Sequence, residues 1–287
     1  MIVIASDYTF GVLGTYLLNH ANSGHTEKIK YICDRTNEDI LIMGSSRAVH
    51  HYDPLIIEDS LHISCYNCGY DGCGSITAYG LLRMLTEHYS PRIILYEVTP
   101  DFDYLKTGNE NTRFLRPLKM FYDRNGIDSI FIKCDKNEGY KMNSKMYRMN
   151  SQLIELLSEN IVRRNQTIKG YIPQKRVMKY EPSDNVTKKS IEYDTLKIEY
   201  LNRIVDLCKS KQIKLVFIIS PNYQKSNMSK YKYVEILAKK NELPVLNHSC
   251  DTLFVGKRAF FYDAFHMNEE GASAYTRHIT SELRELH

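Results

Sequence analysis

The sequence predicts an α/β protein, a three-layer α/β/α sandwich with a central parallel sheet. Short apolar runs of strand length alternate with segments of helical spacing, as in parallel sheets that are covered on both faces. The distinctive loops, at 44–47, 67–74, 99–101 and 220–222, all follow predicted strands, where ligands bind to such sheets. The chain has 287 residues, of which 43% are apolar and 25% charged, so it can bury a sizeable core.

The elements follow from local patterns taken in chain order. Apolar runs that end in turns predict strands at 40–43, 61–66, 93–96, 213–219 and 244–246. Helical spacing predicts helices at 47–59, 76–89, 151–163, 188–209 and 229–240. A last helix is predicted to begin near Glu269, with Asn268 as its N-cap and acidic residues in its first turn.

Two segments differ in character from this alternating pattern. Residues 1–37 form an N-terminal segment whose apolar start is interpreted as the remnant of a membrane anchor, although no run of 18 apolar residues is present. Residues 38–287 are predicted to form a single domain, with an insertion of helices and loops at 104–185. Residues 104–200 carry more basic than acidic side chains, which is interpreted as a solvated helical surface.

Charge and cysteine content exclude several classes of protein. The net charge of +4 is too weak to predict nucleic-acid binding. Seven cysteines are an odd number, so a fully paired disulfide scaffold is excluded. Cys65, Cys68 and Cys73 lie close together, but no second CxxC pair completes a zinc site, and neither a metal nor an organic cofactor is predicted.

Ser46 is the candidate nucleophile. It follows a predicted strand in the turn Gly44-Ser45-Ser46-Arg47 and precedes a predicted helix. A serine at such a turn exposes its hydroxyl, and its own N–H lies where it can stabilise an oxyanion. By itself the pattern is weak, because serine is also a common helix N-cap.

Asp263 and His266 are the candidates that would activate this serine. A nucleophilic serine needs a base, and the base needs a partner that fixes its tautomer. An Asp three residues before a His, in a loop that enters a helix, can supply both groups. By itself, the DxxH spacing is weak evidence for catalysis, as the serine turn is, because a His in this position can also make only local hydrogen bonds.

Together these residues resemble the SGNH/GDSL hydrolase superfamily. Gly44-Ser45-Ser46 is similar to the family's first block, with Ser45 where the commonest version has Asp. Asp263 and His266, followed by Asn268 and Gly271, are similar to its last block. The resemblance covers residues 38–102 and 210–285, leaves the insertion unmatched, and implies an SGNH/flavodoxin-like fold.

The resemblance also implies an oxyanion hole, and one block departs from the family pattern. Residues 67–72 are similar to the second block, whose glycine N–H donates to the oxyanion. The resemblance implies that Gly72, in preference to Gly69, supplies this N–H and that Ser46 supplies a second one. The third block of the family ends in an Asn that donates to the oxyanion, but Pro100 stands near that place here. Either Thr99 or Asn222 replaces this donor, or the activity is weak or specialised.

Arg47, which follows the serine, leaves two alternatives open. It either holds an anionic group of the substrate, since a guanidinium binds carboxylates in a bidentate way, or pairs with a structural carboxylate such as Glu97 or Asp101. His50 lies one turn after Ser46, where it could approach the site, although an exposed or capping role is expected.

The resemblance implies a serine esterase or acyltransferase that works through an acyl-serine intermediate and needs no cofactor. The expected partner is a small acyl ester, such as an O-acetyl group on a cell-envelope or dietary glycan, and nucleic acid is not expected. The Gly-Ser-Ser form and the strand end at 97–101 bear a looser similarity to membrane-anchored proteins that add or remove acyl groups on cell-envelope polysaccharides. This similarity implies an extracytoplasmic, periplasmic or membrane-anchored location, with a tether through the N-terminal segment. The alternative is a non-catalytic glycan-binding or scaffold protein on the same fold.

Overall fold

The computed structural model describes residues 2–108, 111–150, 152–162, 167–181 and 190–286. Its internal contacts divide the chain into two compact units. We call the first the helical unit; it comprises residues 1–36, 79–89 and 108–166. The second, the sheet unit, comprises residues 37–78, 90–107 and 167–287. The predicted insertion therefore contributes residues to both units, and a single domain from residue 38 onward stays a prediction.

A five-stranded sheet of parallel strands forms the centre of the sheet unit. Its strands are β1 (Ile40–Gly44), β2 (Cys65–Asn67), β3 (Ile93–Glu97), β4 (Lys214–Ile219) and β5 (Val245–Asn247). They lie in the order β2-β1-β3-β4-β5, and each neighbouring pair is parallel. The predicted parallel sheet is thus confirmed, although the run predicted at 61–66 forms a strand only from Cys65, because Leu61 belongs to the preceding helix.

Both faces of the sheet are buried, which explains why its strands are continuous apolar runs. On one face, Ile42, Leu95 and Ile218 belong to a core cluster that also contains residues of the C-terminal helix. On the other face, Leu41, Tyr96 and Phe217 are buried as well. The predicted three-layer α/β/α fold class is therefore confirmed.

Most helices of the sheet unit match predicted ones, but the helix predicted at 188–209 begins only at Thr195, the one predicted at 76–89 ends at Leu85, and the short helix Pro100–Asp103 was not predicted. The helices of this unit are α3 (Ser46–His51), α4 (Pro54–Leu61), the start of α5 (Ser75–Leu85), α6 (Pro100–Asp103), α11 (Thr195–Ser210), α12 (Lys232–Asn241) and α13 (Glu269–Leu286). The single helix predicted at 47–59 is divided, because Pro54 has no N–H to continue α3 and Asp53 instead accepts a bond from Leu55 N. Short 3-10 helices lie at Met228–Lys230 and Arg258–Phe260.

The helical unit contains the N-terminal segment and most of the insertion. Its helices are α1 (Ile2–His20), α2 (Gly24–Asp34), the end of α5, the 3-10 helix Asn111–Phe121, α7 (Ile127–Cys134), α8 (Lys136–Lys141), α9 (Lys145–Met149) and α10 (Leu153–Ile161). Helix α1 contacts α9 so closely that a Cβ at Gly14 would lie 2.3 Å from the sulfur of Met149. Among the described helices, none combines the length and the apolar character needed to span a membrane.

All seven cysteines lie within the described residues, none is in a disulfide bond, and five of them are buried. This agrees with the expectation that they act mainly as small core residues.

Candidate active site

The turn between β1 and α3 places Ser46 at the carboxyl edge of the sheet. Strand β1 ends at Gly44, whose φ of +138° and close approach to the next strand both require glycine, because a Cβ there would lie 2.6 Å from the carbonyl oxygen of Glu97. Ser45 occupies the N-cap position and Ser46 is the first residue of α3. Backbone N–H groups in the first turn of a helix have no acceptor within that helix, so the Ser46 N–H is available to a ligand.

Ser46, His266 and Asp263 form a continuous hydrogen-bonded chain. The Ser46 Oγ lies 2.7 Å from Nε2 of His266. The other ring nitrogen, Nδ1, lies 2.9 and 3.0 Å from the two carboxylate oxygens of Asp263. With Nδ1 protonated, His266 donates to Asp263 and leaves Nε2 as the acceptor for the serine hydroxyl, which is the arrangement a general base requires.

Asp263 is held in its charged form. Partial burial acts to raise its pKa, but the hydrogen bonds from the His266 ring and from the backbone N–H groups of Phe265 and His266 outweigh burial and lower the pKa. A charged Asp263 keeps the proton on Nδ1 of His266 and stabilises the imidazolium that forms when His266 takes a proton.

The loop that carries His266 is fixed at both ends. Asn268 accepts a bond from Gly271 N at 2.9 Å, so the predicted N-cap of α13 is confirmed. The amide of Asn268 donates back to Ala259 O at 2.6 Å. Next to the catalytic candidate, the N–H of Met267 donates to Nε2 of His51 at 3.0 Å. His266 is therefore flanked by backbone that is bonded to α3 and to the loop before it.

His51 belongs to a buried network to which the sequence analysis assigned no function. Its side chain is fully buried, and its Nδ1 lies 2.8 Å from the Ser220 hydroxyl, which donates to Glu97 at 2.9 Å. Burial first, and then the positive charge of Arg47, lower the pKa of His51 well below its ordinary value. A neutral His51 with its proton on Nδ1 fits all these contacts, since Nε2 must accept from Met267.

His50 lies close to the site and is not exposed. Its ring is 5.7 Å from that of His266 in an edge-on arrangement. Nδ1 lies 2.8 Å from the carbonyl of Ile172, and Nε2 lies 3.2 Å from a carboxylate oxygen of Asp71. The expected exposed or capping role is therefore wrong, because the segment at Ile172 covers this side of α3.

Arg47 forms the structural ion pair that was one of its two predicted alternatives. Its guanidinium lies 2.8 Å from Glu97, and their side chains are 6% and 0% exposed. It also donates to the carbonyls of Val98 and Ser220 and to the side chain of Asn222. Burial opposes the charge of Arg47, but Glu97 outweighs it and raises the pKa, so Arg47 is a fixed cation beneath the site.

A pocket of about 480 Å³ opens beside Ser46 within the sheet unit. Ser46, Arg47 and His266 line it, together with the following groups around its wall: Thr99–Phe102, Asn222, Gln224–Asn227, Lys230, Tyr231, Ala264 and Phe265. Phe265 is 62% exposed, and Lys230 lies 3.4 Å from Asp101. The pocket thus combines an apolar surface with amides and cations next to the serine.

The structure distinguishes the two candidate replacements for the missing third-block donor. The Asn222 side chain accepts from Arg47 and donates to the Ser226 hydroxyl at 3.0 Å, so its amide is already engaged. Thr99 also lines the pocket, and its hydroxyl is buried without a hydrogen-bond partner. Thr99 is therefore the better placed of the two to donate to a ligand.

The second-block loop lies against α3. A Cβ at Gly69 would lie 2.8 Å from that of Ala48, and the Gly69 N–H donates to Asn67 Oδ1 at 3.0 Å. Asn67, whose role the sequence analysis did not recognise, also donates to Ala48 O and thereby ties this loop to the helix of Ser46. Gly72 adopts a φ of +67° in the turn beyond. Its part in an oxyanion hole stays a prediction.

Comparison with known proteins finds similarity only at the level of solved structures. No protein-family model matches the chain, and no curated protein matches it. The chain is similar to a candidate acylhydrolase from Bacteroides fragilis at 12% identity and a TM-score of 0.42, over 88% of this chain and 89% of that one.

Two further solved structures show a similar degree of likeness. One is a candidate lipolytic protein of the G-D-S-L family from Desulfitobacterium hafniense, at 10% identity and a TM-score of 0.42, over 85% of this chain and 98% of that one. The other is a candidate platelet activating factor from Streptococcus pneumoniae, at 13% identity and a TM-score of 0.43, over 95% and 96%.

Proposed function

We propose that this chain is an SGNH-type serine esterase or acyltransferase that acts on small acyl esters. The observation that carries the proposal is the chain of hydrogen bonds from Ser46 Oγ through His266 to Asp263, at 2.7 and 2.9 Å. It stands at the carboxyl edge of a parallel sheet and beside a pocket, where ligands bind to this class of fold. The similar solved structures are too distant to add to this argument.

In the proposed reaction, Ser46 Oγ attacks the ester carbonyl while Nε2 of His266 takes the hydroxyl proton. The tetrahedral intermediate collapses as His266 returns this proton to the leaving alkoxide, which departs as an alcohol and leaves an acyl-Ser46 ester. Water or a sugar hydroxyl then attacks that ester while His266 takes its proton, and the bond from the acyl group to Ser46 Oγ breaks as His266 returns the proton to Oγ. Release to water makes the protein an esterase, and release to a sugar hydroxyl makes it a transferase.

The developing oxyanion would be stabilised by the N–H groups of Ser46 and Gly72 and by the Thr99 hydroxyl. Thr99 enters this set because it lines the pocket and its buried hydroxyl has no other partner. Donors that are held in place need little reorganisation when the oxyanion forms. Removal of one such donor typically lowers kcat by a factor of about 10²–10³.

His51 is a positioning residue in this scheme. It accepts the N–H of Met267, the neighbour of His266, and it is oriented in turn by Ser220 and Glu97. Since the whole network is buried, it holds the His266 backbone relative to α3, on which Ser46 lies. Such support matters because a displacement of about 1 Å can cost on the order of 10² in rate.

The lining of the pocket supports an acyl group on a polar carrier. Phe102, Phe265 and Pro100 offer an apolar surface for a short acyl chain, while Gln224 and Asn227 offer amides to hydroxyl groups. An O-acetylated glycan fits this combination, and envelope or dietary glycans remain the proposed source.

An extracytoplasmic location and a membrane tether also remain proposals. They are supported by the exposure of Ile4, Tyr8 and Val12, which follow one another at four-residue spacing on α1. Three apolar side chains on one helical stripe would suit contact with a further apolar surface.

The test is p-nitrophenyl acetate hydrolysis by the wild type, Ser46→Ala and the control Ser45→Ala. Ser45 is the neighbouring serine; it is 1% exposed, and its hydroxyl has no hydrogen-bond partner. The control therefore also removes a serine hydroxyl but leaves the triad unchanged. Activity should vanish in Ser46→Ala and persist in Ser45→Ala. A fluorophosphonate probe should label the wild type at Ser46.

Full activity in Ser46→Ala would refute the proposal. Absence of both activity and labelling in the wild type would favour the non-catalytic glycan-binding alternative. In the same assay, Thr99→Val should lower kcat by about 10²-fold, and Thr99→Ser, which keeps the hydroxyl, should restore most of it. Equal activity of Thr99→Val and the wild type would exclude Thr99 from the oxyanion hole.

A further inference from the structure

A second cluster of titratable side chains lies between the loop after β5 and the C-terminal helix. His248 and Asp251 come from the loop, and His278 and Glu282 come from successive turns of α13. None of these residues belongs to the pocket or to the triad described above. His248 and His278 lie 30 residues apart along the chain, so no short metal-binding motif in the sequence reveals the cluster.

The ligand atoms of this cluster have the spacing of a metal site. One ligand atom from each of His248, His278 and Glu282 can be chosen so that all three lie within 4.8 Å of one another. Nε2 of His248 lies 3.0 Å from Glu282 Oε1, and Nε2 of His278 lies 3.8 Å from the same oxygen. Ligands about 2.0–2.2 Å from a tetrahedral zinc ion are separated by about 3.3–3.6 Å, so only small side-chain shifts are needed.

Asp251 places a fourth oxygen at the edge of the cluster. Its Oδ2 lies 3.3 Å from Nε2 of His278. Its other oxygen, Oδ1, accepts the N–H of Leu253 at 2.8 Å, which fixes the carboxylate in the loop. Two carboxylates and two neutral imidazoles balance the charge of a divalent cation.

The surroundings of His248 resemble the support that metal-binding histidines have. Nδ1 of His248 lies 2.9 Å from the hydroxyl of Tyr275, which is fully buried. A partner on Nδ1 orients the ring and directs Nε2 toward the cluster.

We propose that His248, His278 and Glu282, with Asp251 as the fourth ligand, bind one zinc ion that links the loop after β5 to α13. Two imidazoles and two carboxylates favour Zn²⁺ over Mg²⁺ or Ca²⁺, which prefer oxygen ligands. His248, His278 and Glu282 would supply three ligands, and Asp251, which lies 3.3 Å from Nε2 of His278, would complete the coordination by moving toward the ion. The ion would stabilise α13, whose N-terminal end follows directly after the loop of His266.

The test uses the full chain without an affinity tag, stripped of metal with a chelator. Thermal unfolding is followed with and without Zn²⁺ alone, and calorimetry gives the stoichiometry. Zinc at about 100 times its dissociation constant should raise Tm by about 5 °C or more, with one ion per chain. Mg²⁺ and Ca²⁺ at the same concentration should leave Tm unchanged.

The variants His278→Gln and Glu282→Gln should each lose most of the zinc-induced shift. Both side chains are about one third exposed, so the substitutions should leave the fold intact in the absence of metal. The matched control Glu285→Gln alters an exposed acid on the same helix and should keep the shift. The proposal is overturned if zinc does not raise the Tm of the wild type, or if both cluster variants respond to zinc as the wild type does.

Discussion

Replacing Glu97 with glutamine should destabilise the sheet unit strongly, because Glu97 is the common acceptor of the network beneath the site. It accepts from Arg47, the Tyr52 hydroxyl, and both the N–H and the hydroxyl of Ser220. Glutamine keeps the shape but replaces one acceptor oxygen with a donor and removes the charge opposite Arg47. The buried guanidinium would then lack a counter-ion.

The magnitude follows from the burial of the pair. Breaking a buried ion pair by removing one partner costs about 3–5 kcal/mol, and side-chain exposures of 6% and 0% place Arg47 and Glu97 in that class. The matched control is Glu192→Gln in the same unit. Its partner Lys106 lies 3.6 Å away, both side chains are at least 60% exposed, and such surface pairs contribute about 0–1 kcal/mol.

Urea denaturation, followed by far-UV circular dichroism and tyrosine fluorescence, measures the effect. The chain has 22 tyrosines and no tryptophan, so tyrosine emission reports unfolding directly. With a slope of about 1–3 kcal/mol per molar urea, the midpoint of Glu97→Gln should fall by at least about 1 M. The double variant Arg47→Met/Glu97→Leu should recover much of that loss, because no unpaired charge remains. A Glu97→Gln midpoint no lower than that of Glu192→Gln would refute this reasoning.

Two further predictions concern buried titratable groups. Burial raises the pKa of Asp103 to about 7, above its ordinary 3.8. Between these pH values the folded state keeps a proton that the unfolded state has lost, so this group makes stability fall as pH rises, by up to about 1.4 kcal/mol per pH unit. Asp103→Asn, compared with the wild type in urea titrations from pH 4 to pH 8, should therefore gain relative stability toward high pH, and parallel curves would contradict the assignment. His51→Leu should lower kcat for p-nitrophenyl acetate by about 10–100-fold with KM little changed, because Met267 N–H loses its acceptor, whereas the exposed control His62→Leu should match the wild type. An unchanged kcat in His51→Leu would show that His51 does not position His266.

The sequence predicted the strands and most helices because their signals are local. Buried strands such as β4 are continuous apolar runs, and Asn268 caps α13 through a bond only three residues away. The division of α3 from α4 is also encoded locally, by Pro54, which the prediction of one helix over 47–59 overlooked. Within the predicted insertion, residues 109–110, 151, 163–166 and 182–185 lie outside the described residues.

Contacts between distant residues could not be derived in this way. The sequence left Arg47 with two roles, because an arginine next to a serine does not reveal whether Glu97 or a substrate will face it. His51 gave no signal, since its partners Ser220 and Met267 lie about 170 and 216 residues away. The cluster at His248 and His278 was hidden for the same reason.

The α/β class, the order of the strands along the chain and the three triad candidates follow from the sequence, because apolar periodicity, turn residues and the DxxH spacing are properties of neighbouring residues. Only the folded chain shows that Ser46 and His266 meet at 2.7 Å, that Glu97 neutralises Arg47, and that the hydroxyl of Thr99, a pocket residue, is buried without a hydrogen-bond partner. Each of these depends on the parallel sheet, which brings the ends of strands from remote parts of the chain to one edge.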